Sequence, residues 1–152
     1  MKLSAVVIVL ISGFLCVAYC AEIKNCDTEA EGKFTRVTVT DCDESQERCI
    51  LKKGTNATIT IDFELDVETE NEVKAVCFGK LGALEVPFKL PNPNACKDSG
   101  LECPLKKNVA YTYEASFPIL KVYPKVNVDV KYELKNKENK NIVCVLVPVK
   151  IV

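Results

Sequence analysis

Thr58 to Val67 reads T-I-T-I-D-F-E-L-D-V, a strict alternation of polar and apolar side chains. A helix turns about 100° per residue and would scatter these apolar groups around its axis, whereas a strand sends every second side chain to one face. The segment is therefore expected as a half-buried strand with Ile59, Ile61, Phe63, Leu65 and Val67 turned inward. The same period recurs in Thr35 to Thr40, in Glu72 to Phe78, in Tyr111 to Ile119, in Val126 to Leu134 and in Ile142 to Ile151. Turn signals separate these runs: Cys42 to Cys49, Lys53-Gly54, Gly79 to Gly82, Pro91-Asn92-Pro93-Asn94, Pro124 and the polar stretch Lys135 to Lys140. Strands recurring at this spacing without an amphipathic helix between them predict an all-β fold, an immunoglobulin-like two-sheet antiparallel β-sandwich. The chain has no Trp, so the Cys-Trp-Cys core of a true immunoglobulin domain is absent.

The N-terminus sets the expected compartment. Met1-Lys2, the apolar run Leu3 to Val17 and Ala18-Tyr19-Cys20 before Ala21 have the pattern of a signal peptide over residues 1–20, leaving one domain over 21–152. The expected location is extracellular or, within the secretory route, lysosomal. Without the leader, seven cysteines enter an oxidising compartment: Cys26, Cys42, Cys49, Cys77, Cys96, Cys103 and Cys144. Cys42 and Cys49, like Cys96 and Cys103, enclose six mostly polar residues that could turn the chain back on itself, and Cys26 and Cys144 lie near the two ends of the mature chain. Spacing therefore suggests three bridges with Cys77 left over, although about 105 sets of three are open in principle. Cys77 reads as a buried strand thiol or as half of an intermolecular disulfide. Asn56-Ala57-Thr58 is an acceptor sequence for N-glycosylation at Asn56.

Several function classes fit poorly. A formal net charge of -1, with no run of Lys or Arg longer than two, does not suit nucleic-acid binding. The chain contains no histidine, which removes the usual base of Ser and Cys nucleophile systems. Asp62, Glu64 and Asp66 share one strand face and could in principle form a glycosidase-type pair, but that face is the solvated one, opposite Ile61 and Phe63. The cysteines lack zinc spacing and no Gly-rich phosphate loop is present, so neither enzymatic activity nor a cofactor is expected.

An apolar excess remains around Val86-Pro87-Phe88-Lys89-Leu90-Pro91 and Phe117-Pro118-Ile119-Leu120-Lys121-Val122-Tyr123-Pro124. Proline cannot donate to a sheet ladder, so prolines inside apolar runs bend or end strands and can hold two sheets apart at one edge. Ordinary packing at the margin of the core accounts for the same residues.

The ordered set of motifs resembles the Niemann-Pick type C2 branch of the ML lipid-recognition family, in a form similar to its arthropod members. The resemblance spans nearly the whole mature chain: Cys26, Val37-Thr38-Val39 before Cys42, Cys49-Ile50-Leu51-Lys52-Lys53-Gly54, the strand ending in Phe63, Val86-Pro87-Phe88 and Ala95-Cys96. It continues through Cys103-Pro104-Leu105, Tyr111-Thr112-Tyr113, Pro118, Tyr123-Pro124 and Cys144 with Val147-Pro148-Val149. The resemblance implies bridges joining Cys26 to Cys144, Cys42 to Cys49 and Cys96 to Cys103. It also implies sheets that splay to admit a lipid against Phe88, Ile119 and Tyr123, with Val39, Leu51, Ile59, Val86, Phe117, Pro118, Val128, Val130 and Tyr132 as further lining. Tyr132 stands where the sterol carrier of the family has Trp, Val145 is a second departure near Cys144, and Cys77 is extra. These departures widen the implied ligand from a sterol to a fatty acid or other small apolar molecule, including semiochemicals. The implied function is a monomeric secreted lipid carrier whose cargo passes to a membrane receptor. A second implied function is an innate-immune module that presents a microbial lipid, with Lys52, Lys53, Lys89 and Lys121 as basic residues at the pocket mouth.

Overall fold

The structure is a computed structural model that describes residues 21–43 and 45–152, the side chain of Thr69 excepted. The expected signal peptide lies outside the described residues. The described chain forms β1 (Lys24–Asn25), β2 (Gly32–Val39), β3 (Cys49–Leu51), β4 (Asn56–Leu65), β5 (Thr69–Glu70), β6 (Lys74–Leu81), β7 (Leu84–Phe88), β8 (Leu105–Lys106), β9 (Ala110–Pro118), β10 (Asn127–Lys135) and β11 (Asn141–Ile151).

These strands build two sheets. The larger has the order β1-β11-β10-β6-β7, with β3 also pairing to β11, and the smaller has the order β2-β4-β9. All pairings within them are antiparallel except β3 with β11, where Cys49, Ile50 and Leu51 run alongside Val149, Lys150 and Ile151. A short ribbon of β5 and β8 stands apart. The alternation in the sequence becomes the core between the sheets: Ile59, Ile61, Phe63 and Leu65 of β4 are buried against a core that includes Val145, Val147 and Val149 of β11. Burying each such side chain fully is worth about 1.5–3 kcal/mol, which makes this shared interior the main support of the fold.

Two expectations for local structure are corrected. Gly79 is not part of a turn: it lies inside β6 opposite Val86, and the hairpin reverses at Gly82, whose φ is 62°, between the paired residues Leu81 and Leu84. A two-residue hairpin needs a positive φ at its first central position, which glycine supplies without strain. Leu84 to Phe88, which takes in the start of the proline-bent apolar run read over Val86 to Pro91, is a full strand, and Pro87 is tolerated there because β7 is the edge of its sheet. The polar hairpin between β10 and β11 is held by Asn136, whose side-chain oxygen accepts from the backbone N–H of Glu138 and of Lys140 at 2.9 and 3.0 Å.

Three disulfides cross-link the sandwich: Cys26 to Cys144, Cys42 to Cys49 and Cys96 to Cys103. The first spans 118 residues and fastens β1 to β11, beside a backbone bond from the Cys26 N–H to the Cys144 carbonyl at 3.1 Å. A loop of that length removes roughly 5 kcal/mol of chain entropy from the unfolded state. Converting Cys26 and Cys144 together to Ser should therefore lower the melting temperature by about 15 °C while strand content by circular dichroism persists below the transition.

Candidate functional site

A cleft of about 40 Å³ lies between the sheets at the end where β7 is the free edge. The larger sheet contributes Cys77 of β6, Phe88 of β7, Val128 and Val130 of β10, Val149 and Ile151 of β11, and Leu51 of β3. Phe117 and Pro118 close it from β9, followed by Ile119 and Tyr123 from the next loop and Lys89-Leu90 after β7. Pro118 ends β9, and the chain beyond is pinned back to the start of β4 by bonds from the Ile119 N–H to the Thr55 carbonyl and from the Gly54 N–H to the Ile119 carbonyl, at 2.8 and 2.6 Å.

The mouth is closed by two rings: Phe88 and Tyr123 meet edge to face with centroids 5.3 Å apart. Such a pair adds about 0.5–1.5 kcal/mol beyond simple burial, an amount small enough for the rings to part when something apolar replaces the contact. The place of Phe88 is set from below by Gly79, where an added Cβ would fall 2.6 Å from the Phe88 ring and 3.1 Å from Val128. Glycine at 79 thus leaves room for the Phe88 ring beside Val128 on the same sheet.

The cleft brings together most of the residues expected to line a pocket, namely Phe88, Ile119, Tyr123, Leu51, Phe117, Pro118, Val128 and Val130. Four others lie elsewhere. Val39 is half-buried on β2 and Ile59 is sealed in the core on β4, both outside the lining. Val86 stays 40% exposed, because only the last residue of the edge strand β7 reaches the core. Tyr132 is fully buried beside Phe117, with ring centroids 6.4 Å apart, and its surface borders a separate crevice near Pro91 and Ser116. Cys77, Leu90, Val149 and Ile151 belong to the lining and were not expected there; Val149 and Ile151 share the inward parity of β11, a signal present in the alternation. Of the four lysines expected at a pocket mouth, Lys89 lines the cleft, while Lys121 packs its stem near Gly54.

The candidate carboxylates lie on an outer face. Asp62 pairs with Arg36 at 3.2 Å and accepts from the Thr112 hydroxyl at 2.7 Å, and Asp66 meets Lys33 at 3.6 Å. Asn56 is exposed at the start of β4.

Residues 21–151 match a family profile described as ML domain. A relative from Drosophila melanogaster, "NPC intracellular cholesterol transporter 2 homolog a", is 47% identical over 130 residues, covering 86% of each chain. The "Ecdysteroid-regulated 16 kDa protein" of Manduca sexta is 43% identical over 115 residues, covering 76% of this chain and 78% of its own. The crystal structure of a Niemann-Pick type C2 protein from the Japanese carpenter ant superposes with a TM-score of 0.80 at 34% identity, covering 86% of this chain and 99% of its own.

Burial pushes the Cys77 thiol from 9.0 up to about 12, because the apolar surroundings penalise the thiolate. The unfolded chain would lose that proton first, so the stability tied to Cys77 is whole below pH 9.0 and is lost as pH rises towards about 12. At pH 8 the native protein should react with a thiol reagent far more slowly than the denatured protein, as read by mass. Denaturation curves should show stability falling above pH 9, and falling less in Cys77→Ala.

Proposed function

The chain belongs to the ML-domain family, and on that premise we propose that it carries a small apolar lipid in the cleft between its sheets and releases it chemically unchanged. The observation that carries this reading is the cleft itself, a nearly all-apolar interior closed at one sheet edge by the pair of Phe88 and Tyr123. One relative is named for cholesterol transport, and that name fits a sterol-sized cargo. A fatty acid or another small apolar molecule fits the same lining.

Energetics favour binding without covalent chemistry. Each methylene removed from water is worth about 0.8 kcal/mol, so a dozen buried carbons offset the cost of holding the ligand and of parting the rings. The present cleft of about 40 Å³ is far below the size of a lipid, so entry requires Phe88, Tyr123 and the loop after Pro118 to move outward. Three disulfides suit an oxidising compartment, extracellular or lysosomal, and among the described residues no helix is long and apolar enough to cross a membrane. The natural recipient of the cargo is a membrane-bound acceptor.

Native mass spectrometry of the gently purified protein should reveal a stoichiometric lipid, and a fluorescent sterol or fatty-acid probe should bind saturably and be displaced by it. Failure of every probe together with lipid-free extracts overturns the carrier reading. Gly79→Ala should push Phe88 into the cleft and weaken probe binding by about tenfold or more while the circular dichroism spectrum is kept. Phe88→Ala and Tyr123→Ala should each weaken it as well, by removing ring contacts with the ligand.

A further inference from the structure

Val128, Val130, Val149 and Ile151 line the cleft at one end of β10 and β11, and at the other end, where Lys135 pairs with Asn141, three segments meet over one side-chain amide. Asn136, in the hairpin between these strands, is only 7% exposed. Its Nδ2 donates to Glu31 Oε2 at 2.7 Å and to Glu70 Oε1 at 3.3 Å. Its oxygen accepts from the backbone N–H of Glu138 and of Lys140, so the amide cannot turn away without opening the hairpin. Glu31 stands just before β2 and Glu70 ends β5. One NH2 group with two donors thus holds two carboxyls side by side, close enough for a proton of one to be donated to the other.

β5 pairs with β8 through Thr69 with Lys106 and Glu70 with Leu105. Past Glu70, Asn71 to Lys74 line a crevice of about 590 Å³ together with Asn136, Lys137 and Asn139, so the bond to Glu70 fastens β5 to the hairpin at the margin of an open space. We propose that Glu31 and Glu70 form an acid-closed latch: one proton shared between the two carboxyls, under the Asn136 amide, docks β5 on the hairpin, and loss of that proton releases it. The latch stands apart from the cleft and needs no ligand.

The electrostatics give the direction. Two ionised carboxylates held together repel, whereas a protonated carboxyl donates to its ionised neighbour, so the pair titrates as a unit. Burial away from water raises the Glu70 carboxyl above the usual glutamate range, and the charges of Glu31 and Glu138 and the bond to Glu31 add to this against the lowering by Asn136. Lys140 is the cation of the group, 3.9 Å from Glu31 and 3.6 Å from Glu138. β8 sets the uncharged Leu105 opposite Glu70, and Glu68 and Glu72 flank it in its own segment. The folded chain therefore keeps this proton at a pH where the unfolded chain has lost it, so the contribution of the latch is whole in acid and is lost as pH rises through the raised value.

Hydrogen exchange of the backbone amides from Asp66 to Val73 tests the latch at about pH 4 and about pH 7, each rate being divided by that of the unstructured chain at the same pH. In the unaltered protein the protection of this segment should fall by about fivefold or more from the lower to the higher pH, within the limit of about tenfold per pH unit that one proton allows. Glu70→Gln keeps the shape without the charge and should hold the segment near its acid level of protection at both pH values. Glu31→Gln should do the same, since either neutral partner removes the repulsion and can donate to the remaining carboxylate. Equal protection of the unaltered protein at the two pH values would overturn the latch. A response to pH that survives in either amide variant, or that is as large in β4 and β11 as in β5, would put the titrating group elsewhere and overturn it as well.

Discussion

Burial of alternate side chains between two facing sheets is the interaction on which everything else in this molecule depends. The inward residues of β4 and β11 reach the interior only because each strand keeps its register to its neighbours, Ile59 to Val39 and Val149 to Val128 among them. A slip of one residue would expose Ile61 and Phe63 and bury Asp62 and Glu64, at a cost no hydrogen bond in the sheet could offset. The same requirement keeps the outer carboxylates in surface ion pairs such as that of Asp62 with Arg36, and so excludes them from any chemistry in the interior.

The cleft arises where that packing is deliberately incomplete. Most of the interior is filled in the ordinary way, but near β7 it is closed by the rings of Phe88 and Tyr123. Gly79 has no room for a Cβ against Phe88, so the Phe88 ring can lie over β6 and meet the ring of Tyr123. Pro118 ends β9 nearby and frees the following loop from the sheet while bonds to Thr55 and Gly54 hold its base. The result is a cleft walled by side chains and one loop on one side and by continuous β10 and β11 on the other.

Much of this is legible in the sequence. Period two marks β2, β4, β6, β9, β10 and β11, and the two-sheet antiparallel sandwich follows from it. The strand β7 is not legible, because Pro87 suppresses the strand signal and only pairing to β6 reveals why an edge tolerates it. Gly79 misleads for a related reason: glycine reads as a turn residue, whereas here its small size serves close packing. Phe88, Ile119 and Tyr123 come together as the family resemblance implies, but Val39 and Ile59 share the right parity and still end up outside the cleft. Parity says which face a side chain takes and not how far along the sandwich it lies. Tyr132 falls behind the lining for the same reason, and its bond to Tyr113 depends on two strands of different sheets whose mutual offset no local pattern encodes.

Placement of the covalent links leaves the lining of the cleft outside the bridged pairs. None of the six bridged cysteines lines the cleft, and the one cysteine that does, Cys77, is unpaired. Bridges act chiefly by restricting the unfolded chain, so their contribution is the same whether the rings at the mouth are together or apart. β7, which is bound to the sheet along one side only, and the loop after Pro118 can therefore shift without drawing on the interactions that keep β10 and β11 together. Under the proposed carrier function, a lipid entering the cleft would exchange ring contacts at the mouth for its own contacts with the same residues, against the stapled remainder of the sandwich.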